Sequence, residues 1–309
     1  MAGLKAIKTK IRSIEKTRKV TKAMEAVSAA KMRKAQSSAL SARAYARAAV
    51  SILARVSGSR ELKNHPLTRQ SSQRPDKRLY IVITSDKGLA GALNSSVLRI
   101  VQNEITDFEQ YSLERPKIIA IGRKANDFFV NRGYEVVYHP NVDIIDYSLI
   151  NQIVGAAAAR FTEGAVDVVK IAYQNFISTF EQRPTLRTMF PLSVEELQKV
   201  VDDIIPAKGA FSDKGLTSAQ SGGQTFVVSY TVEPSESEVL DAILPRLAGI
   251  FVYHALLETK ASEHSARMVS MKSASDKAQE LTHSFTLQFN KARQAAITRE
   301  VSEIISGTL

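Results

Sequence analysis

One stretch near the C-terminal end constrains this chain more than any other. From about Ser237 to Ser306 there is one proline, Pro245, and one glycine, Gly249; the run after Gly249 contains neither. It is rich in Ala, Leu, Met, Lys, Glu, Gln and Arg, which are good helix formers. A helix of that length spans roughly 100 Å, more than the diameter of a domain of this size, so part of it must project. Its apolar stripe is thin. Met268, Met271, Ala274, Ala278, Leu281, Phe285, Phe289, Ala292, Ala296 and Val301 recur mostly at spacings of three and four. Much of the stripe is alanine, which lets a second helix approach closely. Leu287, Ile297 and Ile304 lie off this seam, as expected for a helix threaded through a sleeve of surrounding protein.

A second candidate of the same kind opens the chain. Residues 3–57 lack proline, and lack glycine after Gly3. Leu4, Ile7, Ile11 and Ile14 step by three, four and three, a coiled-coil seam. The apolar pattern then slips and resumes with Val20, Met24 and Val27, which reads as a stutter. Two long terminal helices with a compact middle predict an antiparallel pair with the middle inserted between its arms.

Charge is concentrated in the first arm. Residues 1–60 carry fifteen Lys or Arg against Glu15 and Glu25, a net charge of +13, while the remainder is −2. That density implies an acidic partner: nucleic acid, lipid head groups or an acidic protein surface. The absence of cysteine excludes disulfides and thiol chemistry. The run LAGIFVYHALL is too short for a bilayer span and reads as helix inside the domain. The amphipathic helix begins at the N-terminus without a secretory signal, and its seam runs on smoothly, which argues against a cleaved transit peptide.

In the middle, GSRELKNHPLTRQSSQRPDKR reads as a linker. LYIVITSD, KIIAIGR, EVVYHP and VDVVKIAYQNF read as buried strands, alternating with helices over SSVLRIVQNEITDFEQY, KANDFFVNRG and IDYSLINQIVGAAAARFTEG. That alternation predicts a βαβ sheet covered on both faces. PTLRTMFPL reads as extended, residues 208–224 as a mobile polar loop, and TFVVSYTVEP as a last strand before the long helix.

Catalytic constellations are scarce. SDKGLAGALN sits at a strand-to-helix turn, but G-x-x-G falls short of the dinucleotide fingerprint and the phosphate loop's G-K-S/T is missing. The turn is expected to aim Asp86 and Lys87 outward. The five histidines are scattered without i,i+4 spacing, so no metal site is expected. Three readings stay open on the residues alone: a non-enzymatic shaft, a nucleotide-binding enzyme using the loop, and a basic coiled coil docking on nucleic-acid phosphates. Tyr45 is the only aromatic residue before Tyr80, which weakens a single-strand platform.

KIRSIEKTRKVTKAMEAVSAAKMRKAQ, with its KTRKVTKAM core, resembles the N-terminal helix of the gamma subunit of F-type ATP synthases. ASEHSARMVSMKSASDKA and FNKARQAAITREVSEIISG resemble that family's C-terminal helix, and SDKGLAGALN its S-D-R/K-G-L-C-G loop. The resemblance covers the whole chain and is weakest over 193–224. It implies an α/β fold: a long antiparallel coiled coil of N- and C-terminal helices plus a central Rossmann-like α/β domain. The expected division is 1–57 for the first helix, 58–236 for the domain with a mobile loop at about 193–224, and 237–309 for the second helix.

The resemblance further implies a central stalk without cofactor or catalytic residues. The stalk turns inside a ring of alpha and beta subunits and sits, with the epsilon subunit, on the membrane's c-subunit ring. Proton flow would drive it, with no nucleic acid bound and membrane contact only through the c ring. By the same resemblance Met24 lies beside an acidic lever of beta, Lys87 is a further beta contact, and Arg293, Gln294, Thr298 and Glu300 lie in the segment that engages a catch loop of beta. Ala90 replaces the loop's usual cysteine and Phe289 a frequent tyrosine. The chloroplast form's cysteine pair is absent. With the missing leader, this favours a bacterial protein at the cytoplasmic face of the inner membrane.

Overall fold

The computed structural model describes residues 2–56, 60–69, 77–110, 114–140, 145–193 and 235–307. In chain order the elements are α1 (Ala2–Val56), α2 (Arg60–Asn64), β1 (Arg78–Ile83), α3 (Leu93–Glu109), β2 (Lys117–Ile121), α4 (Arg123–Val130), β3 (Val136–Tyr138), α5 (Tyr147–Thr162), β4 (Val168–Phe176), β5 (Gln182–Phe190) and α6 (Glu236–Gly307). The expected loop over 208–224 and the expected strand TFVVSYTVEP lie outside the described residues. The extended reading of PTLRTMFPL corresponds to β5.

The sheet order is β3-β2-β1-β4-β5, with β1 parallel to both β2 and β4, and β5 antiparallel to β4. Both faces are covered, which is why β1 and β2 read as nearly unbroken apolar runs. Tyr80, Val82, Ile118, Ala120 and Ala172 face α3 and α4. Leu79, Ile81, Ile119, Ile171 and Tyr173 face the opposite core, built by α5 and the first part of α6. Gly122 joins β2 to α4 at φ 89°, and a Cβ there would stand 2.3 Å from the Thr84 carbonyl oxygen, so only glycine fits.

α6 changes character along its length. Leu240, Leu244, Leu247, Phe251, Val252, Ala255 and Leu256 are buried in the domain core. By length and composition this helix includes a stretch apolar enough to cross a membrane, but 61 % of that stretch is buried inside the protein. Beyond Met271, among the described residues, one edge is covered, and the cover is α1.

The two arms run antiparallel. Arg18 Nη1 donates to Gln279 Oε1 at 3.2 Å, and Lys10 lies 5.7 Å from the Phe285 ring centroid on the N-terminal side of that bond. The N-terminal seam does not slip. Leu4, Ile7, Ile11, Ile14, Thr21, Glu25, Ser28, Met32 and Ala35 are covered, and with Arg18 they keep alternating steps of three and four, while Met24, Ala29, Gln36 and Ser38 are half-buried beside that line. Of the expected continuation Val20, Met24 and Val27, Met24 is half-buried, whereas Val20 and Val27 are 58 % and 56 % exposed. The heptad persists while its residues turn polar, so hydropathy alone registers a stutter that the backbone does not make. On α6 the covered line is Met271, Ala274, Ser275, Ala278, Thr282, Phe285, Phe289, Ala292 and Ala296. Thr282 takes the place expected for Leu281, and Leu281 and Val301 face outward. Leu287, Ile297 and Ile304 are exposed off the seam, as their spacing predicted.

Candidate functional site

Strand order reverses between β1 and β4, and in doubly wound sheets the crevice beyond such a reversal is where nucleotides bind. Here the Ser85–Ala92 loop and α6 occupy it. Ser85 Oγ donates to the Lys87 carbonyl at 2.7 Å, and Asn94 Oδ1 accepts from the Ser85 amide at 3.0 Å, closing the turn. Asp86 does not point outward as expected: it is half-buried, and its Oδ1 accepts from the Arg123 amide at the start of α4, at 2.8 Å. Lys87 is exposed, as expected.

The group facing the loop is a cation. Arg267 on α6 is buried; its Nη2 donates to the Gly88 carbonyl at 3.2 Å and the Lys87 carbonyl at 3.4 Å, and meets Glu263 Oε1 at 2.8 Å. A phosphate cradle offers N–H groups to an anion. This loop offers carbonyl oxygens, and a guanidinium already takes them. A Cβ at Gly91 would lie 3.5 Å from Ser270 Oγ, so α6 closes the crevice from the side as well. Neither arrangement supports the nucleotide-binding reading.

The same face of α6 is laced to β4 and the turn after it. Thr259 Oγ1 accepts from the Gln174 amide at 3.2 Å and Glu258 Oε2 from the Phe176 amide at 2.8 Å. Ser262 Oγ donates to the Gln174 carbonyl at 3.3 Å, and Ser265 Oγ to the Thr179 carbonyl at 2.7 Å. Between Glu258 and Arg267 the long helix is therefore pinned to two separate parts of the domain. Hydrogen bonds to ordered backbone resist rotation about the helix axis in a way that apolar packing alone does not. Burial is the main reason that the His264 pKa is held below the usual histidine value. Arg267, Lys260 and Lys31 push it the same way, against Glu263.

The residues expected to meet a partner fall into two groups. Met24 is half-buried on α1, and Lys87 belongs to the loop under Arg267. Arg293, Gln294, Thr298 and Glu300 are exposed on α6, some 26 residues beyond Arg267, or roughly 40 Å along the axis. Thr298 Oγ1 donates to the Gln294 carbonyl at 3.0 Å, so its proton is engaged within its own helix. Arg267 and Glu263 were missed on sequence. Their i,i+4 spacing is visible there, but such pairs are common on solvated helices, and only the fold buries this one.

The chain matches the ATP synthase family over residues 3–309. Among solved structures, the central stalk and c-ring of the Tetrahymena thermophila mitochondrial ATP synthase has a component 21 % identical, with a TM-score of 0.59, over 83 % of this chain and 99 % of that one. A component of the Euglena gracilis mitochondrial ATP synthase rotor is 18 % identical, with a TM-score of 0.58, covering 96 % of this chain and 99 % of that one. A second Euglena gracilis ATP synthase structure, in rotational state 3, gives 19 % identity and a TM-score of 0.62 over 99 % and 94 %. At these identities the structures attest the shared fold, a sheet domain carrying two long helices. Together with the family match along nearly the whole sequence, they establish that this chain belongs to the gamma-subunit family of F-type ATP synthases.

Proposed function

We propose that this chain is the rotor shaft of an F-type ATP synthase. It would carry rotation of a membrane ring of c subunits into the catalytic head of alpha and beta subunits. The observation that carries the reading is the two-ended construction of α6. One end is embedded in the domain core and pinned by Thr259, Glu258, Ser262 and Ser265. The other is covered along one edge by α1 and leaves Leu287, Ile297 and Ile304 in solvent. A helix pair held rigidly below and bare above suits a lever turning within another protein.

In this reading the chain has no catalytic role, and the complex couples proton flow to ATP synthesis or hydrolysis. The domain rests on the c ring with the epsilon subunit, at the cytoplasmic face of a bacterial inner membrane. Met24, Lys87, Arg293, Gln294, Thr298 and Glu300 are the contacts to beta. The basic α1 face suits acidic surfaces of the head. The nucleic-acid reading is not favoured: phosphate contacts require only charge, whereas the shaft reading also explains the pinned joint and the bare apolar tip.

The test is co-purification. Tagged chain isolated from its own cells should bring down a large complex with ATPase activity that nuclease treatment leaves intact. Recovery of the chain alone, or with nucleic acid, would refute the shaft.

A further inference from the structure

A cavity lies on the other layer of the domain, where α1, the start of α5 and the embedded part of α6 converge. Its volume is about 660 Å³, within the range of about 300–1,000 Å³ typical of ligand pockets. Ile145, Ile150, Ile250, Tyr147 and Tyr253 supply apolar wall, and α1 contributes Ser38. Ile145, Ile250 and Tyr253 pack against the core with one part and line the cavity with the rest. Gly249 also lines it, inside α6, where glycine is ordinarily disfavoured. A Cβ there would stand 3.3 Å from Ile150 Cγ2, so the glycine serves the close approach of α5 to α6. Tyr147 is 69 % exposed. A tyrosine ring left in solvent beside an apolar recess gains burial only when something fills the recess.

Charge narrows what could fill it. Arg246 is the cation of the lining; it is exposed, and no carboxylate among the described residues pairs with it. Asp146 is the acid of the lining, but its charge is already answered. Its Oδ1 accepts from the Leu149 amide at 2.8 Å as the N-cap of α5, and the first turn of a helix favours a negative charge. The group left uncompensated is the guanidinium.

We propose that this cavity binds a fatty acid. The aliphatic chain would lie against the isoleucines and the tyrosine rings. The carboxylate would take the planar fork of Arg246, with the Asn151 amide in the same lining. A single unpaired cation suits a single negative charge, whereas a nucleotide or polyphosphate would bring more charge than the cavity answers. The occupant would touch α1, α5 and α6 together, and so brace the arm pair against the domain. This inference goes beyond the shaft reading and does not depend on it.

The experiment is calorimetric titration of the full chain with dodecanoate below its micellar range. Binding should saturate at one equivalent, and dodecanol should bind at least about tenfold more weakly. Arg246→Gln should lower affinity about tenfold or more. Arg246→Lys should lower it less, because an ammonium keeps the charge and loses the fork. Tyr147→Ser should weaken binding severalfold, and Arg99→Gln, which removes an exposed arginine of α3, should bind as wild type does. These side chains are exposed, so the melting temperature of the free chain should not change. Dodecanoate should raise it in wild type and not in Arg246→Gln. Affinity that Arg246→Gln leaves unchanged would assign dodecanoate to the basic face of α1 and overturn the proposal. So would the absence of saturable binding, or equal affinity for dodecanol. A self-associated form of the isolated chain that Tyr147→Ser dissolves would give the cavity to a second copy and overturn it as well. Each of these failures leaves the shaft reading intact, since that reading is tested by co-purification.

Discussion

Replacing Arg267 with methionine removes the guanidinium that joins the long helix to the loop after β1, while keeping helix propensity and much of the side-chain volume. Arg267 and Glu263 are 8 % and 6 % exposed and 2.8 Å apart. Losing one partner of a buried pair costs about 3–5 kcal/mol, because the other charge is left in a poor solvent. Lys260 Nζ, 3.9 Å from the other Glu263 oxygen and about 29 % exposed at its side chain, offsets part of that. The loss should therefore sit near the lower end, about 3 kcal/mol, with the Lys87 and Gly88 carbonyls also losing a donor. At about 2–4 °C per kcal/mol for a large domain, melting should fall by about 6–12 °C. Scanning calorimetry on the purified chain gives the number. The double variant Glu263→Leu/Arg267→Met removes both charges and should recover at least half of the loss. A single-variant shift under about 2 °C, or a double variant as unstable as the two singles added together, would refute the view that this pair is a buried, coupled joint.

Met24→Lys places a charge on a half-covered position of α1; the complex should assemble, yet pump fewer protons per ATP hydrolysed, measured in inverted vesicles. Arg293→Ala or Gln294→Ala should lower steady-state ATPase of the assembled complex severalfold and up to tenfold or more, since a charged hydrogen bond is worth about 1.5–3 kcal/mol; unchanged turnover in both would remove them from the partner contacts. The His264 pKa is depressed in the fold, so the unfolded chain takes up its proton first as pH falls. Stability contributed by the neutral ring is present above the ordinary histidine pKa and declines as pH drops through about 6.5 towards the folded value. His264→Gln should flatten that part of a melting-temperature profile, and an imidazole resonance titrating above the ordinary value would contradict the sign.

The long helices were legible because proline and glycine are absent over spans that only a helix accommodates. The parallel strands were legible because double-faced burial writes unbroken apolar runs. What escaped the sequence was polar. Thr21, Ser28, Ser275 and Thr282 occupy seam positions, and a hydropathy pattern passes over them in favour of Val20, Val27 and Leu281, which face solvent. Asp86 looked like a surface residue because its acceptor role depends on where β2 delivers the Arg123 amide, thirty-seven residues later. Arg267 escaped for a similar reason: its partners are backbone carbonyls, which every residue has. Spacing put Met24 on the N-terminal stripe, but the partner of Met24 and the role of Lys87 came from resemblance to a family.

The pairing of Arg18 with Gln279 joins residues 261 positions apart, and this sets the order in which the molecule is made. α1 leaves the ribosome first, but the helix that covers its seam is completed last. At about 5–20 residues per second, some 250 residues intervene between the end of α1 and the end of α6, a delay of roughly 10–50 s. Through that interval Leu4, Ile7, Ile11 and Ile14 have no intramolecular partner to cover them. The sheet domain, closed by the start of α6, can take shape before the arms meet. The polar seam then has a use during synthesis: at Thr21, Glu25 and Ser28 the line awaiting its cover adds no apolar surface to that already shown by Val20 and Val27.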